Sequence, residues 1–397
     1  MADDRPNLLL ITTDTQRWDT LHCMGSDFAR SPHLDRLAAE GVLFENAHTP
    51  SPVCMPARCS LMTGTHAHVH GCIENGFQRF THLPMLPDLL KAEGYTNLMI
   101  GKTHFGPIPE SFDVQHVSWG EKNRECDDFY GQFIQARGFG RAREHLKPNP
   151  VPEDLCLDAH IATTAIAEME RAAGTAEPFF AFCSFVSPHG PVDPPGRWAD
   201  LYSRDDLPPL NYREGEIHDH PPALRRLLGY GDEPRRPRDE ILELRRQYYG
   251  LAAYVDHQVG RLLTFLDEAG LREKTLVVFT SDHGQQHFDH GFSDKHNWYD
   301  ETWRVPLILS RPGVLPAGTR AGFATWTDLT VSLLAAAGGT CPTMQGYDLV
   351  TPLRDGTPSP RAGVAGVCLR SLAVASERWK LEYYLDDADG RLFDRRG

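Results

Sequence analysis

Leu276-Val277-Val278-Phe279-Thr280-Ser281-Asp282-His283-Gly284 is a short apolar run that turns polar at its end and closes on a carboxylate and an imidazole. Pro6-Asn7-Leu8-Leu9-Leu10-Ile11-Thr12-Thr13-Asp14 repeats the design near the start of the chain. Runs of this length and composition read as buried strands, here over 8–12 and 276–280, each delivering an acid at its C-terminal end. Further strands are predicted over 97–100, 179–184 and 307–310. Helices are predicted over 32–40, 56–62, 85–93, 155–172, 239–269 and 329–337. The alternation predicts an α/β fold with a large, mostly parallel sheet and helices on both faces. In such sheets ligands bind outside the carboxyl ends of the strands, so Asp14, Asp282 and His283 are expected to converge there.

From about Cys341 the character changes. Short alternating segments over 364–368, 372–376 and 379–385, with Ala388-Asp389-Gly390 as a hairpin turn, predict a small C-terminal antiparallel sheet. The expected division is a catalytic α/β domain over 1–340 and a small antiparallel subdomain over 341–397, its end left open as truncated. Residues 193–238 are rich in proline and charge and read as a surface excursion, with a rim over the site as one role.

Composition narrows the function classes. The 397 residues are 41% hydrophobic, enough for a large core. The net charge of −14 argues against nucleic acid or an anionic membrane as partner. No apolar stretch is long enough to span a bilayer. The start, Met1-Ala2-Asp3-Asp4-Arg5-Pro6, lacks a signal pattern, so the expectation is cytoplasmic, or periplasmic if a signal was removed. Nine scattered cysteines suit a reducing compartment.

Pro52-Val53-Cys54-Met55-Pro56-Ala57-Arg58 places a thiol at the mouth of a helix predicted to begin near Pro56. Backbone N–H groups and the positive end of the helix dipole favour an anion there, and Arg58 adds a fixed cation one turn in. The bland reading is a buried cysteine before an ordinary helix. Two carboxylates and an imidazole suit a divalent metal, although an aspartate after a strand is more often a helix cap.

Five motifs in order, the Asp14 strand, Cys54 to Gly64, Gly101-Lys102-Thr103-His104-Phe105-Gly106, Ser187-Pro188-His189 and Ser281-Asp282-His283-Gly284, with Lys295 ahead of Arg304-Val305-Pro306, resemble the sulfatases of the alkaline-phosphatase-like superfamily. The resemblance covers nearly the whole chain. It implies that Cys54 is oxidised to formylglycine by a formylglycine-generating enzyme and that the hydrate supplies the attacking oxygen. It also implies metal ligation by Asp14, Cys54, Asp282 and His283, and orientation of the diol by Arg58. Lys102, His189 and Lys295 would contact the sulfate, with His189 or Lys295 protonating the leaving alcohol. His104 would deprotonate the second hydroxyl to expel sulfate, and Asn75 would be a substrate-side donor. The implied substrate is a small anionic sulfate monoester of the sugar or aryl class.

Two departures stand out. Asp14 is followed by Thr15 where many sulfatases have a second aspartate, and an Asp-His pair stands where many have Asp-Asn. Fewer oxygens and an added imidazole favour manganese, zinc or iron, with calcium or magnesium left open. The same features resemble the phosphonate monoester hydrolase and arylsulfatase branch, so a phosphonate monoester or phosphodiester hydrolase is the first alternative. A non-catalytic anion-binding protein with unmodified Cys54 is the second, and a homo-oligomer is left open. His66-Ala67-His68-Val69-His70 reads as a solvated turn ahead of a second metal site. His287 and His290 read as structural or supporting residues. Asp256-His257 is expected to pack or cap. Trp298, Tyr299 and Trp303 read as core ahead of pocket lining.

Overall fold

The two apolar runs form neighbouring strands at the centre of an eight-stranded sheet. The computed structural model describes residues 5–80, 82–118, 128–140, 145–147, 149–227 and 236–396. The strands are β1 (Asn7–Asp14), β2 (Val42–His48), β3 (Thr96–Gly101), β4 (Val114–Val117), β5 (Phe179–Pro188), β6 (Thr275–Ser281), β7 (Leu307–Ser310) and β8 (Thr319–Thr325). Their order is β4-β3-β5-β1-β6-β7-β2-β8. All neighbours are parallel except β7, which runs antiparallel to both β6 and β2. Strands β2, β4 and β8 have no counterpart among the sequence-based expectations.

The side-chain alternation of β1 divides the core into two layers. Leu9 and Ile11 pack with the helices Pro32–Ala39, Leu157–Ala173 and Arg238–Glu268. Leu8 and Leu10 pack on the other face with Cys54–Thr63, Leu86–Ala92 and Trp326–Ala336. Each fully buried leucine contributes about 1.5–3 kcal/mol, so a one-residue slip of β1 would exchange both layers at once. Asp256 caps a helix other than its own, accepting the N–H of Leu34 at 2.8 Å and that of His33 at 3.3 Å.

A second sheet, four-stranded and antiparallel, has the order β12-β11-β10-β9, formed by β9 (Gly363–Cys368), β10 (Ser371–Ser376), β11 (Trp379–Tyr384) and β12 (Asp389–Asp394). The expected turn at Ala388-Asp389-Gly390 is displaced. Asp389 and Gly390 already pair with Tyr384 and Tyr383, and Ala388, at φ 48°, makes the reversal. Trp298 and Trp303, both fully buried, join this sheet to the rest of the chain as core residues. Gly366 is needed there, because a Cβ would lie 2.5 Å from the Trp298 ring.

The expected solvated turn at His66–His70 is corrected in part. Residues Ala67–His70 form a short helix, and His70 is fully buried, its Nε2 2.9 Å from Ser60 Oγ. Within the excursion after Asp193, short turns and the helix Pro222–Leu227 precede 228–235, which lie outside the described residues. Among the described residues no helix is long and apolar enough to cross a membrane.

Candidate active site

Four adjacent parallel strands, β3, β5, β1 and β6, each hand a polar residue to the same sheet edge. Lys102 follows β3, His189 follows β5, Asp14 ends β1, and Asp282 and His283 follow β6. This is the carboxyl-terminal edge at which open α/β sheets bind ligands. Close approach fixes two of these exits. Gly101, at φ 100°, would place a Cβ 2.0 Å from the Ser184 carbonyl oxygen, and Gly284 would place one 1.9 Å from that of Glu301.

The Cys54 helix begins two residues earlier than expected, at Cys54 itself, so the sulfur belongs to the first turn and not to its approach. Pro56 still lies within that turn, where its missing N–H has no helical partner to lose. Val53 is extended and offers no side-chain cap. Met55 N–H is taken instead by Asn75 Oδ1 at 3.1 Å.

Cys54 is 1% exposed, and its sulfur is the hub of the site. His283 Nε2 lies 3.1 Å away, Lys295 Nζ 3.1 Å and Asp14 Oδ1 3.7 Å. His283 Nδ1 lies 2.8 Å from the Gly284 carbonyl, which makes Nδ1 a donor and turns Nε2 toward the sulfur; burial opposes the ring's charge, but Asp282 raises its pKa above the ordinary value. Lys102 Nζ reaches Asp14 Oδ2 at 2.5 Å, and His189 Nε2 is 3.9 Å from Asp14 Oδ1.

Arg58 is fully buried beneath the carboxylates. Its Nε donates to Asp282 Oδ2 at 2.9 Å, Nη2 to Asp14 Oδ2 at 3.2 Å, and Nη1 to Ser184 Oγ at 2.9 Å and the Lys102 carbonyl at 3.3 Å. The planar fork therefore ties four neighbouring strands together, which a lysine point charge cannot do. Thr15 N–H and His283 N–H both donate to Asp282 Oδ1, at 3.0 and 2.9 Å.

The electrostatics follow from this crowding. Burial disfavours an ionised Asp14, but Lys102, His189, Arg58 and Lys295 hold its carboxyl well below the usual carboxylate range. Burial and the charge of Asp14 push Asp282 up. Burial and Asp14 also oppose ionisation of Cys54, yet Lys295, His283 and Lys102 bring its thiol well below the ordinary value. Against its own burial, Lys295 is raised by Cys54, Asp14 and Asp294 and stays a cation.

Asp14, Cys54, Asp282 and His283 are all buried, with one ligand atom each lying within 4.8 Å of the others. Two carboxylates, an imidazole lone pair and residue 54 form a donor set that fits one divalent ion. The histidines at 66, 68 and 70 are not part of this cluster.

His104 stands two residues beyond Lys102 in a left-handed conformation, φ 53°, and its buried Nδ1 has no hydrogen-bond partner among the described residues. His189 and Lys295 line a cleft of about 490 Å3 that Thr15, Gln285 and His287 also line. Sequence reasoning missed Ser184 and Gln285. Ser184 had a weak signal, as the first polar residue in the apolar run of β5. Gln285 had none.

The sulfatase family model matches residues 6–339. The arylsulfatase of Clostridium perfringens is 29% identical over 80% of this chain and 70% of its own length. Iduronate 2-sulfatase of Mus musculus is 31% identical over 79% of this chain and 60% of its own length. The crystal structure of phosphonate monoester hydrolase of Agrobacterium radiobacter superposes with a TM-score of 0.88 at 23% identity, over 98% of this chain and 89% of that one, a likeness of fold.

Proposed function

The chain belongs to the sulfatase family of sulfuric ester hydrolases, and from that premise we propose that it cleaves a sulfate monoester of a small sugar or aryl alcohol at residue 54, matured to formylglycine by a formylglycine-generating enzyme. The observation that carries the reading is the convergence of Lys295, His283 and Asp14 on the Cys54 sulfur at a helix mouth. As its hydrate, formylglycine supplies an oxygen nucleophile where the sulfur now stands. Asp14, Asp282, His283 and residue 54 would hold a divalent ion, which would supply charge withdrawal from the sulfate and favour the ionised nucleophile. The imidazole and the single aspartate at the end of β1 favour manganese, zinc or iron over calcium.

The remaining work falls to this chain's own side chains. Lys102 and Lys295 hold sulfate oxygens in a site sheltered from water, where their charges act at low dielectric. His189 Nδ1 donates to the Gly190 carbonyl at 2.8 Å, which turns Nε2 toward the site; in the imidazolium form Nε2 carries the proton that passes to the leaving alcohol as the S–O bond breaks. His104 takes the proton of the second diol hydroxyl as sulfate departs. Arg58 acts through Asp14 and Asp282 as a positioning residue, and Asn75, its Oδ1 bound to the helix mouth, keeps its amide N–H groups for the substrate.

Thr15 favours a second reading. It is buried and stands where many sulfatases carry a second aspartate, a departure that resembles the phosphonate monoester hydrolase branch. Rates on 4-nitrophenyl sulfate and 4-nitrophenyl phenylphosphonate decide between the two. The proposal expects the higher kcat/KM on the sulfate, and a clear phosphonate preference would replace it with the second reading.

A further inference from the structure

The cleft has a wall that the sulfate chemistry leaves unused. His287 lines it, is only 6% exposed, and holds a left-handed backbone at φ 48° that histidine tolerates better than most residues. Neither ring nitrogen finds a hydrogen-bond partner among the described residues. The ring is held in place against Tyr248, with centroids 4.1 Å apart. Tyr248 is itself pinned, donating to the Thr15 carbonyl at 2.6 Å and accepting the Arg17 N–H at 2.8 Å. Two residues earlier on the same loop, Gln285 commits Nε2 to the Ser293 carbonyl at 3.0 Å and Asp294 Oδ1 at 3.3 Å. Its Oε1 is sheltered and without a partner among the described residues.

Sheltered polar atoms without partners are rare in folded proteins and costly to keep, and here four occur on one loop, Gln286 Oε1 among them, beside the groups that take the sulfate. Burial, with Arg17, Arg245 and His145 nearby, holds the His287 imidazole well below its ordinary value, so it offers one N–H donor and one acceptor. With Gln285 Oε1, the loop that lines the cleft holds two acceptors and a donor uncommitted. A sugar hydroxyl both donates and accepts, whereas an aryl ring does neither. The volume of about 490 Å3 has room for a sugar ring in addition to the sulfate.

We propose that His287 and Gln285 read the hydroxyl groups of the leaving alcohol, so that the substrate is a polyhydroxylated, sugar-type sulfate and not an aryl one. This rests on the sulfate-ester reading of the same cleft. His287 is a specificity residue, contacting the alcohol and not the reacting atoms.

The test is calorimetric binding to the full chain with Cys54 left unmodified, which binds without turnover, in the presence of manganese. The probes are glucose 2-, 3- and 6-sulfate, 4-nitrophenyl sulfate and inorganic sulfate. At least one glucose sulfate should bind more tightly than the aryl ester. In His287→Asn, which keeps a residue suited to left-handed backbone but shortens the reach, that affinity should fall about tenfold or more, while inorganic sulfate moves less than about twofold. Gln285→Met, of similar length, should weaken the same glucose sulfate about threefold or more. Glucose sulfates binding no better than the aryl ester, or equal weakening of every probe in both variants, would overturn the proposal. If hydroxyl selectivity holds but protein bearing the aldehyde hydrolyses no sulfate ester, the hydrolase reading fails and the recognition wall stands.

Discussion

Replacing Arg58 tests how the site is held together before any chemistry occurs. Arg58→Met keeps the bulk of the side chain but withdraws the guanidinium from two fully buried carboxylates, Asp14 and Asp282. Removing one partner of a buried ion pair costs about 3–5 kcal/mol, because the other charge is left without compensation. Here Asp14 keeps Lys102 at 2.5 Å, and Asp282 keeps the N–H groups of Thr15 and His283, so the loss belongs at the lower end, about 3 kcal/mol. At about 2.1 cal/mol/K per residue the unfolding entropy of this chain is about 0.8 kcal/mol/K, and Tm should fall by about 4 °C in chelator. Saturating manganese places a cation between the same carboxylates and should shrink that difference. Thermal unfolding followed by fluorescence in both buffers is the assay. A shift in chelator below about 1 °C, or equal shifts in both buffers, would refute the claim that Arg58 works as the counter-charge of this pair.

Other outcomes follow from the same geometry. Asp282→Asn should lose metal on dialysis, as read by elemental analysis. Excess metal at about one hundred times Kd is worth about 2.7 kcal/mol, so chelator should lower the Tm of the parent chain by about 3 °C and that of the variant by much less. His290 bridges Glu216 at 2.7 Å and Glu301 at 3.7 Å; burial opposes its charge, but Glu301 and Glu216 raise its pKa above the ordinary 6.5. Its contribution to stability is therefore full below pH 6.5 and lost as pH rises through the raised folded value. Glu301, pushed up by burial but brought down to about 2 chiefly by His290, contributes above pH 4.5 and loses that contribution as pH falls toward 2. His290→Gln should flatten the fall of Tm above pH 6.5, and an unchanged slope would assign that fall to other groups.

The central fold was legible because the fully buried parallel strands write themselves as apolar runs. Leu8 to Ile11, Leu276 to Phe279 and the run beginning at Phe179 have no exposed face to encode in polar residues. Strand β2 escaped because Glu45 and Asn46 interrupt it, and β8 because its first half, Thr319 to Gly322, is only partly covered. The antiparallel sense of β7 follows from how the chain enters it, which local sequence does not encode. At the site, residues that follow apolar strands or a helix mouth were readable from spacing. Ser184 is needed only because Arg58 arrives from the Cys54 helix, and His287 depends on a left-handed turn and on Tyr248 from a distant helix, contacts with no pattern in the sequence.

Mass spectrometry of the peptide containing Cys54, on the same preparation assayed with a sulfate ester, tests the central claim most directly. The account predicts a peptide lighter by the exchange of sulfur for oxygen with loss of two hydrogens, in a fraction of chains that tracks turnover from one preparation to the next. Undiminished turnover by protein whose residue 54 remains wholly a thiol would contradict it.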